Sequence, residues 1–178
     1  MTKGQHPSQV ARLVQAFTKT HRAFELVRCA RSLQQWKQLS WAYIASKKLA
    51  FPFQVTTRAG HVLTLEDWSE VTTLWHIYCS REYRLPSTAK MVVDLGANFG
   101  SFTLLAAERL AGVRIIAVEP FPSTFDRLTA MVEQNSLAQI VTPVMAAIDS
   151  SDGSAQMNAQ EDGHSYARRI VQNTSEQS

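Results

Sequence analysis

The chain has 178 residues, of which 45% are hydrophobic and 19% are charged, so it is long enough for one domain with a sizeable core. No run of roughly 18 apolar residues occurs, and the N-terminus lacks the apolar stretch of a secretory signal, so no membrane-spanning helix is predicted. Two cysteines outside any CxxC motif, Cys29 and Cys79, favour reduced thiols in a cytoplasmic protein over a zinc site.

Residues 1–50 are predicted to form a basic helical N-terminal region. They contain nine Lys or Arg residues and a single acidic residue, Glu25, whereas the whole chain has a net charge of only +3. Val10, Leu13 and Phe17 recur at helical spacing. The basic surface of these helices is either an ordinary solvated face, which we favour, or a peripheral contact with an anionic membrane. No nucleic-acid partner is expected, because no recognisable binding motif accompanies the basic residues.

Residues 51–88 are predicted to be a leading segment made of a β-hairpin and a helix. The stretches "FQVTT" and "HVLTL" alternate like strands, and Gly60 between them suits a left-handed turn. In the following "DWSEVTTLWHIYCSREY", Trp68 and Val71 begin an apolar helical stripe. His76 lies beside this stripe, and we interpret it as a packed or hydrogen-bonded residue rather than a ligand.

Residues 89–170 carry the pattern of a parallel sheet, and a polar tail follows at 171–178. Three apolar runs, "MVVDL", "VRIIAVEP" and "IVTPVMAAID", alternate with two helical segments. Pro143 in the third run is tolerated in an edge strand or a bulge. The order β-α-β-α-β implies right-handed crossovers. The predicted fold class is therefore α/β, with a partial Rossmann-like sheet of three parallel strands behind the N-terminal helices and the hairpin.

A glycine turn directly follows the first of these strands, in the stretch "MVVDLGANFGSF". In such sheets ligands bind at the carboxyl ends of the strands, which is where Asp94 lies. Gly96 permits a tight turn and Gly100 a close approach of helix to strand. Asn98 between them is the non-glycine residue that best tolerates a left-handed backbone. The pattern predicts a nucleotide pocket.

A second carboxylate, Glu119, ends the second strand 23 residues after Gly96. A carboxylate at this position accepts hydrogen bonds from the two hydroxyls of a ribose and disfavours a 2′-phosphate. The turn lacks the third glycine of a dinucleotide fingerprint, and Asp94 beside it repels phosphate but suits an ammonium or a sulfonium group. We therefore favour S-adenosylmethionine over NAD as the cofactor.

At these residues the chain resembles the FkbM-type methyltransferases, a branch of the class I S-adenosylmethionine-dependent enzymes. The matching stretches are "VVDLGANFGSFTLLAA", "IIAVEPFPSTFDRL", "EQNSL" and "AAIDSSDGSAQM", within about residues 50–160. The resemblance implies methyl transfer to a hydroxyl of a sugar, a lipid or a secondary metabolite. It also implies a cofactor-binding set, with the last member near the adenine: Asp94, Gly96, Asn98, Gly100, Glu119 and Asp149.

The chain departs from that family after the third strand, because the lysine-aspartate-glutamate-glycine segment of the fourth strand is missing. This departure predicts a truncated or split-gene product, or a chain that needs a second chain to complete its sheet. No general base is identified, and His164 in the polar "EDGHSY" is interpreted as a solvated loop residue. Two alternatives remain open: a non-catalytic nucleoside-binding or partner-docking module, and a fragment of an NAD-linked oxidoreductase.

Overall fold

A computed structural model describes residues 9–45, 48–80, 82–148, 156–157 and 170–171, with side chains described within 21–43, 48–80 and 82–148. The helices are α1 Gln9–Ser32, α2 Trp36–Ala45, α3 Trp68–Trp75 with a π-helical turn at His76–Ser80, α4 Ser101–Arg109 and α5 Pro122–Gln134. The strands are β1 Phe53–Thr56, β2 Val62–Leu65, β3 Met91–Leu95, β4 Arg114–Val118, β5 Val141–Val144, β6 Gln156–Met157 and β7 Ile170–Val171.

The N-terminal helices and the hairpin pack into the same hydrophobic core as the sheet. Buried side chains from Cys29 in α1 to Val141 in β5 form one continuous cluster. The chain leaves α1 after Ser32 because its backbone then bonds to the hairpin, with the N–H of Gln34 donating to the carbonyl of Thr56 at 2.8 Å. The basic region therefore contributes apolar side chains to the core.

The predicted hairpin is confirmed: β1 and β2 pair antiparallel, and Gly60 in their connection has φ +95°. The predicted helix is α3, which the Asp67 side chain caps by accepting from the Glu70 N–H. Trp68 differs from the prediction, because at 42% exposed it lies at the edge of the buried stripe. His76 is hydrogen-bonded as interpreted, with its Nδ1 2.5 Å from Glu82 Oε1.

The predicted parallel sheet is confirmed, with the strand order β3-β4-β5. Pro143 lies in β5, which pairs with β4 and forms one edge of the described sheet, where a missing N–H is tolerated. The observed fold is the α/β, Rossmann-like arrangement expected from the sequence. Asp149 and His164 lie outside the described residues.

The two faces of the sheet differ in what covers them. Side chains alternate along a strand, and β3 has the pattern exposed, half-buried, exposed, buried, exposed. Val92 and Asp94 therefore point to the face on which α4 and α5 pack. Met91, Val93 and Leu95 point to the opposite face and are 62%, 52% and 57% exposed. On the same face Val118 of β4, the partner of Leu95, is buried at 6% exposed, so the exposed part is the β3 part, which we call the bare face.

Candidate functional site at the glycine turn

The candidate site is the loop from Gly96 to Gly100, which joins the end of β3 to the start of α4. The backbone N–H groups of Gly96 and Ala97 both donate to the carbonyl of Val118 at 2.9 Å. These bonds fix the loop to the last residue of β4, directly before Glu119. The two strand ends that the sequence predicts to form a pocket are therefore held together.

The two glycines of the loop serve different purposes. Both have left-handed backbones, with φ +75° at Gly96 and φ +88° at Gly100, and Asn98 between them has φ +52°. A Cβ at Gly100 would overlap Met131 Cε and lie 2.9 Å from Leu128 Cδ1, so the ends of these two side chains would have to shift. A Cβ at Gly96 would meet nothing within 4 Å. Gly96 therefore faces open space, as expected for a position that a ligand approaches.

Asp94 lies under the first turns of α4 and is 9% exposed. The Thr103 hydroxyl donates to Asp94 Oδ2 at 2.6 Å. Burial raises the pKa of Asp94 above its usual range, hydrogen bonds from the side chain and backbone of Thr103 oppose that shift, and the nearby charge of Glu119 adds to it. The site thus holds a carboxylate that gains from a neighbouring positive charge.

Glu119 is buried, at 4% exposed, and it organises the loop. Its Oε2 accepts from the backbone N–H of Asn98 at 2.9 Å, and its Oε1 accepts from the N–H of Phe121 at 3.2 Å. A carboxylate has about four lone-pair positions, so these two bonds leave capacity for a diol. The strand-end carboxylate is therefore both a support for the glycine turn and a potential acceptor for a ligand.

The structure brings five of the predicted residues together at the carboxyl ends of β3 and β4: Asp94, Gly96, Asn98, Gly100 and Glu119. Their contact with a cofactor stays a prediction, as does the role of Asp149. Sequence reasoning missed Thr103, the hydrogen-bond partner of Asp94. The available sequence signal was a hydroxyl residue between the apolar Phe102 and Leu104, and the structure buries it completely. It also missed that Glu119 would accept from the backbone of the loop.

The electrostatics of the turn do not resemble those of a phosphate-binding loop. Such loops present free backbone N–H groups to the anion. Here the N–H groups of Gly96, Ala97, Asn98 and Gly100 bond to protein acceptors, and the N–H of Thr103 bonds to Asp94. With two carboxylates beside it, the turn favours a ligand that carries positive charge.

A cavity of about 130 Å³ lies beside the loop and has a different character. Phe99 and Arg127 line it, but neither Asp94 nor Glu119 does. Arg127 is occupied, since its Nη2 donates to Glu70 Oε2 at 2.9 Å and to the Thr64 carbonyl at 3.1 Å. The guanidinium carbon also lies 5.7 Å from the centre of the Phe99 ring. We interpret this arrangement as structural support for the loop.

Neither a metal centre nor a membrane-spanning helix is found among the described residues. No group of three or more His, Cys, Asp or Glu side chains there is placed to hold a metal ion. Among the helices described above, none has the length and apolar character required to cross a bilayer.

Sequence comparison finds methyltransferases. Over 79 residues the chain is 34% identical to uncharacterized methyltransferases of Mycobacterium bovis and of Mycobacterium tuberculosis. The match covers 44% of this chain and 31% of each relative, so the chain spans about a third of the length of these curated relatives. No family model matches the chain.

Structural comparison also finds methyltransferases, at low similarity. The human METTL16 catalytic domain matches 32% of this chain and 20% of its own, with 28% identity and a TM-score of 0.30. Pyrococcus horikoshii TYW2 in complex with MeSAdo matches 59% of this chain and 44% of its own, with 18% identity and a TM-score of 0.40. At these TM-scores the likeness supports no conclusion about function. The sequence match therefore makes the chain similar to methyltransferases over less than half its length.

Proposed function

We propose that this chain binds S-adenosylmethionine at the glycine turn and that it is a methyltransferase of the FkbM type. The observation that carries the proposal is the geometry of the turn, where Gly96 faces open space next to the strand ends that carry Asp94 and Glu119. The 34% identity to mycobacterial methyltransferases supports the same reaction class.

The residues of the turn fit this cofactor better than a dinucleotide. Glu119 has lone pairs left to accept from the ribose hydroxyls. Asp94 supplies negative potential close to the turn, which stabilises an ammonium or a sulfonium group and opposes a diphosphate. Gly96 leaves room for the ligand to approach the backbone, because it has no Cβ. These residues give the turn a negative potential, whereas a pyrophosphate-binding loop presents a positive potential to its ligand.

When bound, the cofactor supplies an electrophilic methyl group for in-line transfer to an acceptor oxygen. We propose a hydroxyl of a sugar, a lipid or a secondary metabolite as the acceptor class, as the family resemblance implies. The role of this chain's residues is to bind and orient: Glu119 fixes the nucleoside, and the rigid loop fixes the position of the methyl group relative to the strand ends.

Calorimetric titration with S-adenosylhomocysteine tests the proposal. We expect saturable binding to the wild-type chain and to Gly60→Ala, and binding weakened by about tenfold or more in Gly96→Ala, a change of about 1.4 kcal/mol. Gly60 is a matched control, because it has φ +95° and equally open surroundings but lies in the hairpin. Circular dichroism establishes that both variants are folded before the titration.

The same titration separates the alternatives. Saturable binding of NADH, with S-adenosylhomocysteine producing no heat at millimolar concentration, would overturn the choice of cofactor and favour the oxidoreductase fragment. Equal weakening of S-adenosylhomocysteine binding in Gly60→Ala and Gly96→Ala would show that the loss reflects backbone strain rather than a ligand contact. Absence of heat with either nucleotide would favour a docking module without a nucleoside site.

A further inference from the structure

The N-terminal helices α1 and α2 expose apolar side chains on the side that faces away from the core. In α1 Phe24 and Val27 are 59% and 46% exposed, whereas Cys29, on the opposite side of the helix, is 0% exposed. In α2 Trp41 is 58% exposed, although Ala42 beside it is buried. Both helices therefore contribute one side to the core and present large apolar groups on the other.

The exposed groups of α1 belong to a longer apolar line along this continuous helix of 24 residues. Three earlier positions precede Phe24 by 14, 11 and 7 residues, and such separations bring helical positions onto one side. These positions are Val10, Leu13 and Phe17. The apolar period that predicted the helix from the sequence therefore runs along the side on which Phe24 is exposed.

The single acidic residue of the N-terminal region does not reach this surface. Residues 1–50 contain nine Lys or Arg residues and one acid, Glu25. The Glu25 side chain is 12% exposed, its Oε1 accepts from the Ser80 hydroxyl at 2.8 Å, and its Oε2 accepts from Trp75 Nε1 at 3.4 Å. Within residues 21–43, where side chains are described, the outer side of α1 and α2 therefore carries no carboxylate.

Exposed cations accompany the apolar groups instead. Arg31 follows Val27 by four residues and Phe24 by seven, so it lies one to two turns away on the same side of α1. In α2 Lys37 precedes Trp41 by four residues and is likewise exposed. The outer side of these helices therefore combines large apolar groups with positive charge.

This combination argues against several occupants of the surface. The sequence alone favours an ordinary solvated face, but such a face is polar, whereas Phe24, Val27 and Trp41 are not. A second copy of the chain would place two basic regions against each other, and like charges repel. Nucleic acid attracts cations, but most contacts to it are polar contacts with phosphate and sugar, which leaves Phe24 and Val27 in water.

We propose that α1 and α2 form a peripheral membrane anchor that lies on a bilayer containing anionic phospholipids. Phe24, Val27 and Trp41 enter the boundary between headgroups and acyl chains, where a tryptophan keeps its ring in an apolar and its N–H in a polar environment. Arg31 and Lys37 pair with the lipid phosphates. Because each contact is weak and their sum determines binding, the anchoring is reversible and depends on lipid charge and on salt.

Co-sedimentation of the whole chain with lipid vesicles tests the proposal. One set of vesicles contains phosphatidylcholine alone, and the other contains phosphatidylcholine mixed with phosphatidylglycerol. We expect binding to the mixed vesicles to be stronger by about tenfold or more, and to weaken as the salt concentration rises. Binding that is independent of phosphatidylglycerol would overturn the proposal, as would the absence of binding to either set.

A pair of variants separates the anchor from a general attraction between charges. Phe24→Glu should weaken binding to the mixed vesicles by about tenfold or more, because it places a carboxylate in the apolar line. Trp68→Glu is the matched control, since it changes the net charge equally at an aromatic side chain of α3 that is 42% exposed. Thermal unfolding establishes that both variants are folded. Equal weakening in the two variants would contradict the assignment of the surface.

Trp41 provides a readout of depth in the bilayer. Lipids with brominated acyl chains should quench the tryptophan fluorescence of the wild-type chain, and quenching should be markedly smaller in Trp41→Phe. Unchanged quenching in that variant would show that Trp41 does not enter the bilayer. Without vesicle binding, a complex with a DNA duplex or a dimer, lost in Phe24→Glu, would assign the surface to nucleic acid or to a second copy. None of these readouts depends on nucleotide binding.

Discussion

The two faces of the three-stranded sheet place apolar side chains in two environments. On the covered face, Ile115 and Ala117 of β4 are 1% and 0% exposed beneath α4 and α5. On the bare face, apolar side chains of β3 are more than half exposed. On the covered side β3 carries Val92 and the buried Asp94, whereas on the bare side it carries Met91, Val93 and Leu95. The comparison separates residues that hold the chain together from residues available for a partner or a ligand.

The largest contrast is expected for two leucines truncated to the same residue. Leu128→Ala should lower the free energy of unfolding by about 3 kcal/mol. The Leu128 side chain of α5 is 0% exposed, and its truncation leaves a cavity between the helix and the covered face. Leu95→Ala should lower the free energy of unfolding by less than about 0.5 kcal/mol, because Leu95 is 57% exposed. Chemical denaturation of both variants measures the difference. Equal losses would mean that the bare face is covered in the isolated chain.

The loop glycines extend this contrast to the candidate site. Gly100→Ala should lower the free energy of unfolding by about 1–2 kcal/mol, since the new methyl group would displace the side-chain ends of Leu128 and Met131 in addition to adopting an unfavourable φ. Gly96→Ala should lower the free energy of unfolding by about 1 kcal/mol through its unfavourable φ alone, because the surroundings of Gly96 are open. Thermal unfolding of the two variants gives the order. A larger loss for Gly96→Ala would show that it packs against protein.

Asp94 should make the stability of the folded chain depend on pH. Its folded-state pKa is raised by burial, so between the unfolded value of 3.8 and the folded value the native state binds more protons than the unfolded state. Ionisation of Asp94 therefore costs stability as pH rises through that window, and the cost is fully present above the folded pKa. Asp94→Asn, which removes the charge, should be more stable than wild type at pH 7.

That stability gain should shrink as pH falls through the window and disappear below 3.8, because the wild-type carboxyl is then protonated in both states. Denaturation curves of wild type and Asp94→Asn at a series of pH values measure the difference. Thr103→Val is a useful companion, since it removes the hydroxyl that donates to the carboxylate and should destabilise the chain more at pH 7 than at low pH. A pH-independent gap between wild type and Asp94→Asn would contradict the assignment.

The smallest effect on stability is expected on the bare face. Val93→Lys should change the free energy of unfolding by less than about 0.5 kcal/mol, because the side chain is 52% exposed. Binding of a hydrophobic dye should nevertheless fall, since the charge interrupts the apolar patch between Met91 and Leu95. Dye fluorescence and thermal unfolding recorded on the same sample distinguish the two quantities. A marked loss of stability would show that Val93 is packed.

Local sequence patterns predicted the helices and strands better than they predicted what those elements pack against. The hairpin followed from alternation and Gly60, and the sheet followed from three apolar runs with two helices between them. A run such as "MVVDL" predicts burial on both faces, but it does not reveal which face the rest of the chain covers. Trp68 was assigned to the buried stripe of α3 because periodicity alone cannot locate the edge of that stripe.

The candidate site was predictable in its residues and not in their contacts. Glycines and carboxylates at predicted strand ends can be read from the sequence alone, so five positions could be named. The hydrogen bond from Thr103 to Asp94 and the bonds from Asn98 and Phe121 to Glu119 depend on how α4 and the loop settle on the sheet. Such tertiary contacts leave no periodic pattern in the sequence, and they determine how far each carboxylate is buried.

The proposed function depends on a nucleoside with a cationic sulfur binding beside Gly96, near Asp94 and Glu119. Amide-resolved NMR of the wild-type chain with S-adenosylmethionine measures that binding residue by residue. We expect saturable shifts confined to residues 94–100 and the neighbourhood of Glu119, with the hairpin turn at Gly60 unchanged. Shifts centred on Phe99 and Arg127 in the neighbouring cavity, or identical shifts from inorganic diphosphate, would contradict it.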